Sequence, residues 1–299
     1  MRILIIRPGA IGDSLVTFPV LEALRAHHPG AELFLVGSAA VLPLARALGV
    51  ADVVANYEDV QWSSLFGRVS EATALHELLR TTDMAVCWLR DVEGVVERNL
   101  RACGVRQVII APGRPQERMH IVEYLARCVG VQVEQPPRYR ERLSVVGRRG
   151  GERRRLALHP GSGGARKCWP LAHFAATIRA LWQRDVAVSL LGGPADHERL
   201  DRLQRELSPL PHASLLSMLN TVPLLELAHH LCQCDGYLGN DSGITHLAAL
   251  LGLPTLALFG PSDPVIWRPL GCSVNVLSSP ELGNLAVDVV VPKLESLLV

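Results

Sequence analysis

Short, continuously apolar runs recur along the chain and are separated by segments whose apolar residues return at helical spacing. Ile3 to Ile6, Ala31 to Gly37, Val50 to Ala55, Met84 to Leu89 and Val108 to Ala111 read as strands covered on both faces. Between them, Val16, Val20, Leu21 and Leu24 form one helical stripe that His28-Pro29-Gly30 ends, and Leu42 to Leu48 and His120 to Val129 form others. Strand and helix alternate in this way only where a parallel sheet carries helices on both faces.

The pattern lapses from Glu134 to Arg155, a stretch with Pro136-Pro137, a run of Arg and Gly150-Gly151, which reads as an interdomain connection. It then restarts. Arg155 to His159, Val186 to Leu191, Gly236 to Gly239 and Thr255 to Phe259 are predicted strands, and helices are predicted from near Pro170, over Ala195 to Leu207, Pro223 to Leu231 and Ile244 to Leu251. The expectation is an α/β protein of two Rossmann-like, doubly wound domains, residues 1–145 and 146–299, whose sheets turn their carboxyl ends toward a common cleft.

Composition supports two cores: the chain has 299 residues, 48% of them apolar and 20% charged. The net charge of +1 hides one basic segment, Arg138 to Arg155, with eight Arg against Glu141 and Glu152. That segment reads as a solvated linker, with contact to anionic membrane lipid as the alternative. No global field favours nucleic acid, and membrane contact is expected to be at most peripheral. The apolar start, Ile3 to Ile6, is too short for a signal-peptide core, and no run reaches the roughly 18 apolar residues of a membrane span. A cytoplasmic protein is expected, with any membrane contact at the inner face of the cytoplasmic membrane. The seven Cys are odd in number and lack paired CxxC spacing, so they read as reduced thiols and not as zinc ligands, Cys232 and Cys234 included.

Three turns after predicted strands carry the candidate chemistry. In Gly9-Ala10-Ile11-Gly12-Asp13-Ser14, Asp13 or Ser14 reads as a helix cap, or Gly9 and Gly12 let a substrate approach while Asp13 serves as a general base. The GxGxxG of a dinucleotide site is absent, and Glu32 begins a strand instead of ending it. In His159-Pro160-Gly161-Ser162-Gly163-Gly164-Ala165-Arg166-Lys167, backbone N–H groups and the Ser162 hydroxyl can wrap phosphate oxygens beside the Lys167 cation. The same residues also suit a solvated loop.

The third turn, Asn240-Asp241-Ser242-Gly243, opens the apolar helix that carries His246. Ser242 and Gly243 present an anion site at the helix N-terminus, His246 can donate to a phosphate oxygen, and Asp241 suits ribose hydroxyls or helix N–H groups. Near the same predicted sheet edge, Asp196 reads as a helix cap or a site residue, and Glu198 as a ligand for sugar or ribose hydroxyls. The chain has no Asp-x-Asp, HExxH or Gly-x-Ser-x-Gly, so no metal or serine nucleophile is expected.

Gly12-Asp13, Lys167-x-Trp169-Pro170, Asp241-Ser242-Gly243-x-x-His246-Leu247-Ala248 and Phe259-Gly260-Pro261-x-Asp263-Pro264 together resemble glycosyltransferase family 9, the lipopolysaccharide heptosyltransferases and their relatives. The resemblance runs from the first strand to about Pro269. It implies the GT-B arrangement, with an acceptor (a saccharide or glycolipid) in the N-terminal domain and a nucleotide-sugar donor, ADP-heptose or a close analogue, in the C-terminal one. It further implies an inverting transfer without metal or cofactor, Asp13 as the base and Lys167 as the cation beside the leaving diphosphate. Ser162 and Gly163 match the family's phosphate turn, whose second position is often Thr. Asp241, Ser242, Gly243 and His246 match its donor site, and Glu198 is carried over with them. A sugar-nucleotide epimerase or hydrolase, or a binding protein that has lost transfer, uses the same donor turn.

Overall fold

The structure, a computed structural model, describes residues 1–67, 69–70, 73–143, 153–209 and 212–298. Its contacts divide the chain into two compact units, Met1–Gln135 and Pro136–Val299. In the first unit the order is β1 (Arg2–Ile6), α1 (Ile11–Leu15), α2 (Phe18–His27), β2 (Glu32–Gly37), α3 (Leu42–Ala47), β3 (Val53–Asn56), α4 (Ala74–Arg80), β4 (Met84–Trp88), α5 (Val95–Ala102), β5 (Gln107–Ala111) and α6 (Ile121–Cys128). The sheet runs β3-β2-β1-β4-β5, and every pairing is parallel.

The second unit contains β6 (Arg155–His159), α7 (Leu171–Trp182), β7 (Ala187–Gly192), α8 (His197–Leu207), β8 (Leu216–Asn220), α9 (Leu224–Leu231), β9 (Gly236–Asn240), α10 (Gly243–Leu250), β10 (Thr255–Phe259), α11 (Pro264–Trp267), β11 (Val274–Ser278) and α12 (Val287–Leu297). Its sheet runs β11-β10-β9-β6-β7-β8, again wholly parallel. Each unit is therefore a Rossmann-like domain, and the two make up the pair that a GT-B chain comprises. In each, chain order reverses beside the first strand, between β1 and β4 and between β6 and β9. Helices that follow the two strands leave for opposite faces at such a point, and a crevice opens at the carboxyl ends.

Central strands are buried along their length, β4, β9 and β10 completely, as their continuous apolar runs predict. Each unit has its own core. Leu4, Ile6, Trp62, Leu79 and Leu100 anchor one, and Leu158, Trp169, Phe174, Leu190 and Leu294 the other.

Three features differ from the sequence pattern. The first predicted helix is broken into α1 and α2, because Pro19 in the first turn of α2 lacks an N–H, and the Thr17 hydroxyl donates to the Ser14 carbonyl across the break. Strands β8 and β11, together with α4, α5 and α12, add to the predicted elements. The compact units meet between Gln135 and Pro136, with Tyr139–Arg142 packed on the second unit, while the expected boundary at 145/146 lies outside the described residues. Tyr139 is buried, the Arg140 N–H donates to the Leu251 carbonyl, and its guanidinium donates to the Cys232 carbonyl at the end of α9. The Arg140 guanidinium thus sits at the C-terminus of α9, where a cation is favoured, while Arg138, Arg142, Arg153 and Arg154 are exposed, as a solvated segment requires. Arg148 and Arg149 lie outside the described residues.

Candidate functional site

The crevice of the second unit is built by the turns that leave β6 and β9. Asn240, fully buried at the end of β9, ties them together. Its Oδ1 accepts from the Trp169 N–H at 2.9 Å, and its Nδ2 donates to the carbonyls of Pro160 at 2.7 Å and Gly161 at 3.2 Å. Fixing the entry to α7 against β9 in this way leaves the Gly-Ser segment between them as a short arch over the sheet edge.

Lys167 and Ser162 both reach across to the β9 turn. The ammonium donates to Asp241 Oδ2 at 2.7 Å, and the Ser162 hydroxyl donates to the Asp241 carbonyl at 2.6 Å. Asp241 is 8% exposed, whereas the Lys167 side chain is 40% exposed, so the cation keeps a face toward solvent beside the turn. An ammonium has three donors, and the ion pair uses one.

Ser242 is extended, with φ −153° and ψ 163°, and caps α10: its Oγ accepts from the Thr245 N–H at 3.4 Å and lies 3.0 Å from the Thr245 hydroxyl. The other first-turn N–H groups of α10 have no intrahelical acceptor, and the helix dipole favours an anion there. His246 is buried within the same helix.

Behind Ser242 stands a pair that pattern reading did not join. His159 Nδ1 is 3.3 Å from Ser242 Oγ, and its Nε2 is 3.1 Å from Asp196 Oδ2, which also accepts from the Gly193 N–H at 2.8 Å. Asp196, one of whose readings was a helix cap, turns its carboxylate back onto β6. Burial pushes that carboxylate up, but the bonds from His159 and Gly193 and the nearby Arg199 outweigh it and hold Asp196 below its ordinary value. Gly161 is obligatory here, since a Cβ on it would stand 2.0 Å from Asp196 Oδ1.

Of the predicted donor residues, Ser162, Lys167, Asp241, Ser242 and Gly243 thus share the β6/β9 crevice. Gly163 is exposed with open space around its Cα. Glu198 is exposed in the first turn of α8, with no hydrogen-bond partner among the described residues. Asp196, not Glu198, is the acidic residue packed against the β6 turn. The signal that pointed to it was its place just after Gly192-Gly193-Pro194 at a strand end.

In the first unit the corresponding crevice is a cavity of about 970 Å³ lined by Arg7, Asp13, Trp88, Arg90, Pro112 and Arg114 among others. Asp13 sits in the first turn of α1, and its Oδ2 accepts from the Ala10 N–H at 3.1 Å. The carboxylate thus caps the start of α1 and also lines the cavity. Gly9 adopts φ +132°, and a Cβ on it would come within 2.8 Å of Asp13 Oδ2. Gly12 lies within α1, its carbonyl accepting from the Val16 N–H at 3.1 Å. Glu32 pairs with Arg2 at the amino end of β2, the edge opposite this crevice.

Two Rossmann-like domains, each with a polar turn at its topological switch point, define the class of protein. The sequence profile of Glycosyltransferase family 9 (heptosyltransferase) matches residues 128–292, more than half of the chain, and the chain belongs to that family. It is 31% identical over 127 residues to lipopolysaccharide heptosyltransferase 2 of Escherichia coli (strain K12), an alignment covering 42% of this chain and 36% of that protein. The matched part thus spans about a third of the length of that relative. Among solved structures, E. coli ADP-heptose lps heptosyltransferase II superposes with a TM-score of 0.77 at 21% identity, covering 100% of this chain and 98% of the other. E. coli heptosyltransferase WaaC with ADP superposes with a TM-score of 0.75 at 19% identity, covering 99% and 100%. At these identities the two structures establish the fold.

Among the described residues no group of three or more His, Cys, Asp or Glu is placed to hold a metal ion, and no helix is long and apolar enough to cross a membrane.

Proposed function

We propose that the chain is an inverting glycosyltransferase that moves heptose from ADP-heptose to a hydroxyl of a saccharide or glycolipid acceptor, without a metal ion. The observation that carries this reading is the β6/β9 crevice, where Lys167, Ser162 and the N-terminus of α10 converge on one turn. Family membership and the substrates named for the relatives support the donor's identity.

In the proposed reaction Asp13 takes the proton of the acceptor hydroxyl as its oxygen attacks the anomeric carbon. The bond from that carbon to the diphosphate breaks on the opposite face, and the electron pair leaves with ADP. The charge developing on the diphosphate meets the Lys167 ammonium, the Ser162 and Ser242 hydroxyls and the first N–H groups of α10. These donors are held before the reaction by Asp241, Asn240 and His159, so little reorganisation is needed. Asp241 orients Lys167 instead of opposing the phosphate directly. Glu198 is proposed as a ribose contact, and His246 as a further phosphate donor. The first unit is proposed to take the acceptor and the second the donor. The enzyme is proposed to work in the cytoplasm, with at most peripheral contact to the inner face of the cytoplasmic membrane and no nucleic-acid partner.

Thermal-shift measurements with ADP-, GDP- and UDP-sugars test the donor: ADP-heptose raises Tm, and no response to any of them refutes the site. Lys167→Ala is expected to lower kcat by about 10²-fold or more, the scale for losing a donor to a developing oxyanion, with transfer unaffected by EDTA. Donor consumption that needs no acceptor would favour the hydrolase reading.

A further inference from the structure

We infer that Arg7 is the positioning residue of Asp13, a role that rests on the reading of Asp13 as the base. Arg7 follows β1 directly and is only 2% exposed, an expensive place for a guanidinium unless its donors are satisfied. They are. Nε donates to the Asp13 carbonyl at 3.0 Å, Nη1 points at the Trp88 carbonyl at 3.5 Å, and Nη2 donates to the Gly113 carbonyl at 3.1 Å. Trp88 ends β4, Gly113 follows β5 and Asp13 lies in the first turn of α1, so the guanidinium ties that helix to two strand ends and not to one loop.

Nη2 makes one more contact, to Asp13 Oδ1 at 3.3 Å. With the Ala10 N–H on Oδ2, each oxygen of the carboxylate has one donor, from two different directions. A carboxylate held at one oxygen swings about that bond, whereas one held at both has its plane set, and both oxygens keep free lone pairs for a proton. Space for this fork is reserved in the sequence: a Cβ on Gly113 would stand 2.2 Å from Arg7 Nη1. Burial lowers the guanidinium from its ordinary value, Asp13 opposes that, and Arg114 adds to it, so the carboxylate offsets the cost of burying the cation. A lysine has no fork and cannot make these contacts together.

The test is a double-mutant cycle of Arg7→Met and Asp13→Asn, with Arg7→Lys alongside, assayed with ADP-heptose and heptose-deficient lipopolysaccharide. Arg7→Met and Arg7→Lys are expected to lower kcat by about 10- to 100-fold, the scale of a misplaced reacting group, with the donor KM unchanged within about twofold. In the Asp13→Asn background the Arg7 substitution then has no further effect on kcat. Losses that multiply in the double variant, or a fall in donor affinity equal to the loss of rate, would overturn the inference. If Asp13→Asn keeps full turnover, the assignment of the base fails; if Asp13→Asn is inactive while Arg7→Lys is fully active, only the inference about Arg7 fails.

Two further measurements guard against loss of folding or of the right acceptor. Gly113→Ala keeps both residues and crowds the guanidinium most closely, and it is expected to share the kcat defect. A crystal structure of the Arg7→Lys protein is expected to show the Asp13 carboxylate rotated off its present plane, and a carboxylate left in place refutes the inference without any assay.

Discussion

His159 and Asp196 show how much of a site is settled by single side chains. Each was visible as a residue in a turn, but their pairing across β6 and β7 turns two loops into one support for the Ser242 hydroxyl. The pairing also has a measurable pH signature. Asp196 is held below its ordinary value in the folded protein, so the unfolded state binds the proton more readily. Its contribution to stability is complete above the unfolded carboxylate value of roughly 3.9 and is lost as the pH falls through the lower folded value. Urea unfolding of wild type and Asp196→Asn should therefore differ most near neutral pH and converge as the pH falls through the folded value of Asp196. A difference that is constant with pH would mean that the carboxylate is not held in its ionised form.

At the scale of elements, α10 does more than pack. It is apolar nearly throughout, buried from Thr245 to Leu250, and it follows the buried strand β9, so its N-terminus cannot move without the sheet. Ser242 closes that terminus by accepting from the Thr245 N–H. Ser242→Ala should cost about 1 kcal/mol of stability, the usual value for losing an N-cap. It should also weaken ADP binding, read by calorimetric titration; a stability loss with unchanged ADP affinity would leave Ser242 as a cap alone.

Elements differed in how plainly they could be read. Central strands such as Leu156 to Leu158 are buried on both faces and are therefore continuously apolar. Edge strands β8 and β11 touch the sheet on one side only, so Leu216-Ser217-Met218-Leu219-Asn220 needs no apolar run and left no signal. Helix α5 was hidden for a different reason. Its start is organised by the Asp91 carboxylate accepting from the N–H groups of Val96 and Glu97, five and six residues on, beyond the reach of a simple capping pattern.

At the scale of the molecule, the two units have separate cores and separate sheets, and each presents its own crevice. A ligand confined to the second crevice stabilises that unit in the first instance, by about 2.7 kcal/mol at a hundred times its Kd. Hydrogen exchange with saturating ADP should therefore slow in the turns 159–168 and 240–246 and along β6 and β9, while the strands of Met1–Gln135 exchange as before. Protection centred on the β1 turn instead would move the nucleotide to the first unit and reverse the proposed roles.

The order of strands and helices, the doubling of one fold and the turns that carry chemistry follow from local sequence, because burial on two faces and helix entry leave their mark within a few residues. Asp13, Lys167 and the Asp241 to Gly243 turn stood out on that basis, each lying in a segment that leaves a strand for a helix. What the sequence left open was which distant groups meet. Arg7 reaches carbonyls 81 and 106 residues away, Lys167 finds Asp241 74 residues on, and Asn240 binds the turn after β6. Such contacts depend on the order in which parallel strands lie side by side, and only the folded sheets bring those strand ends together.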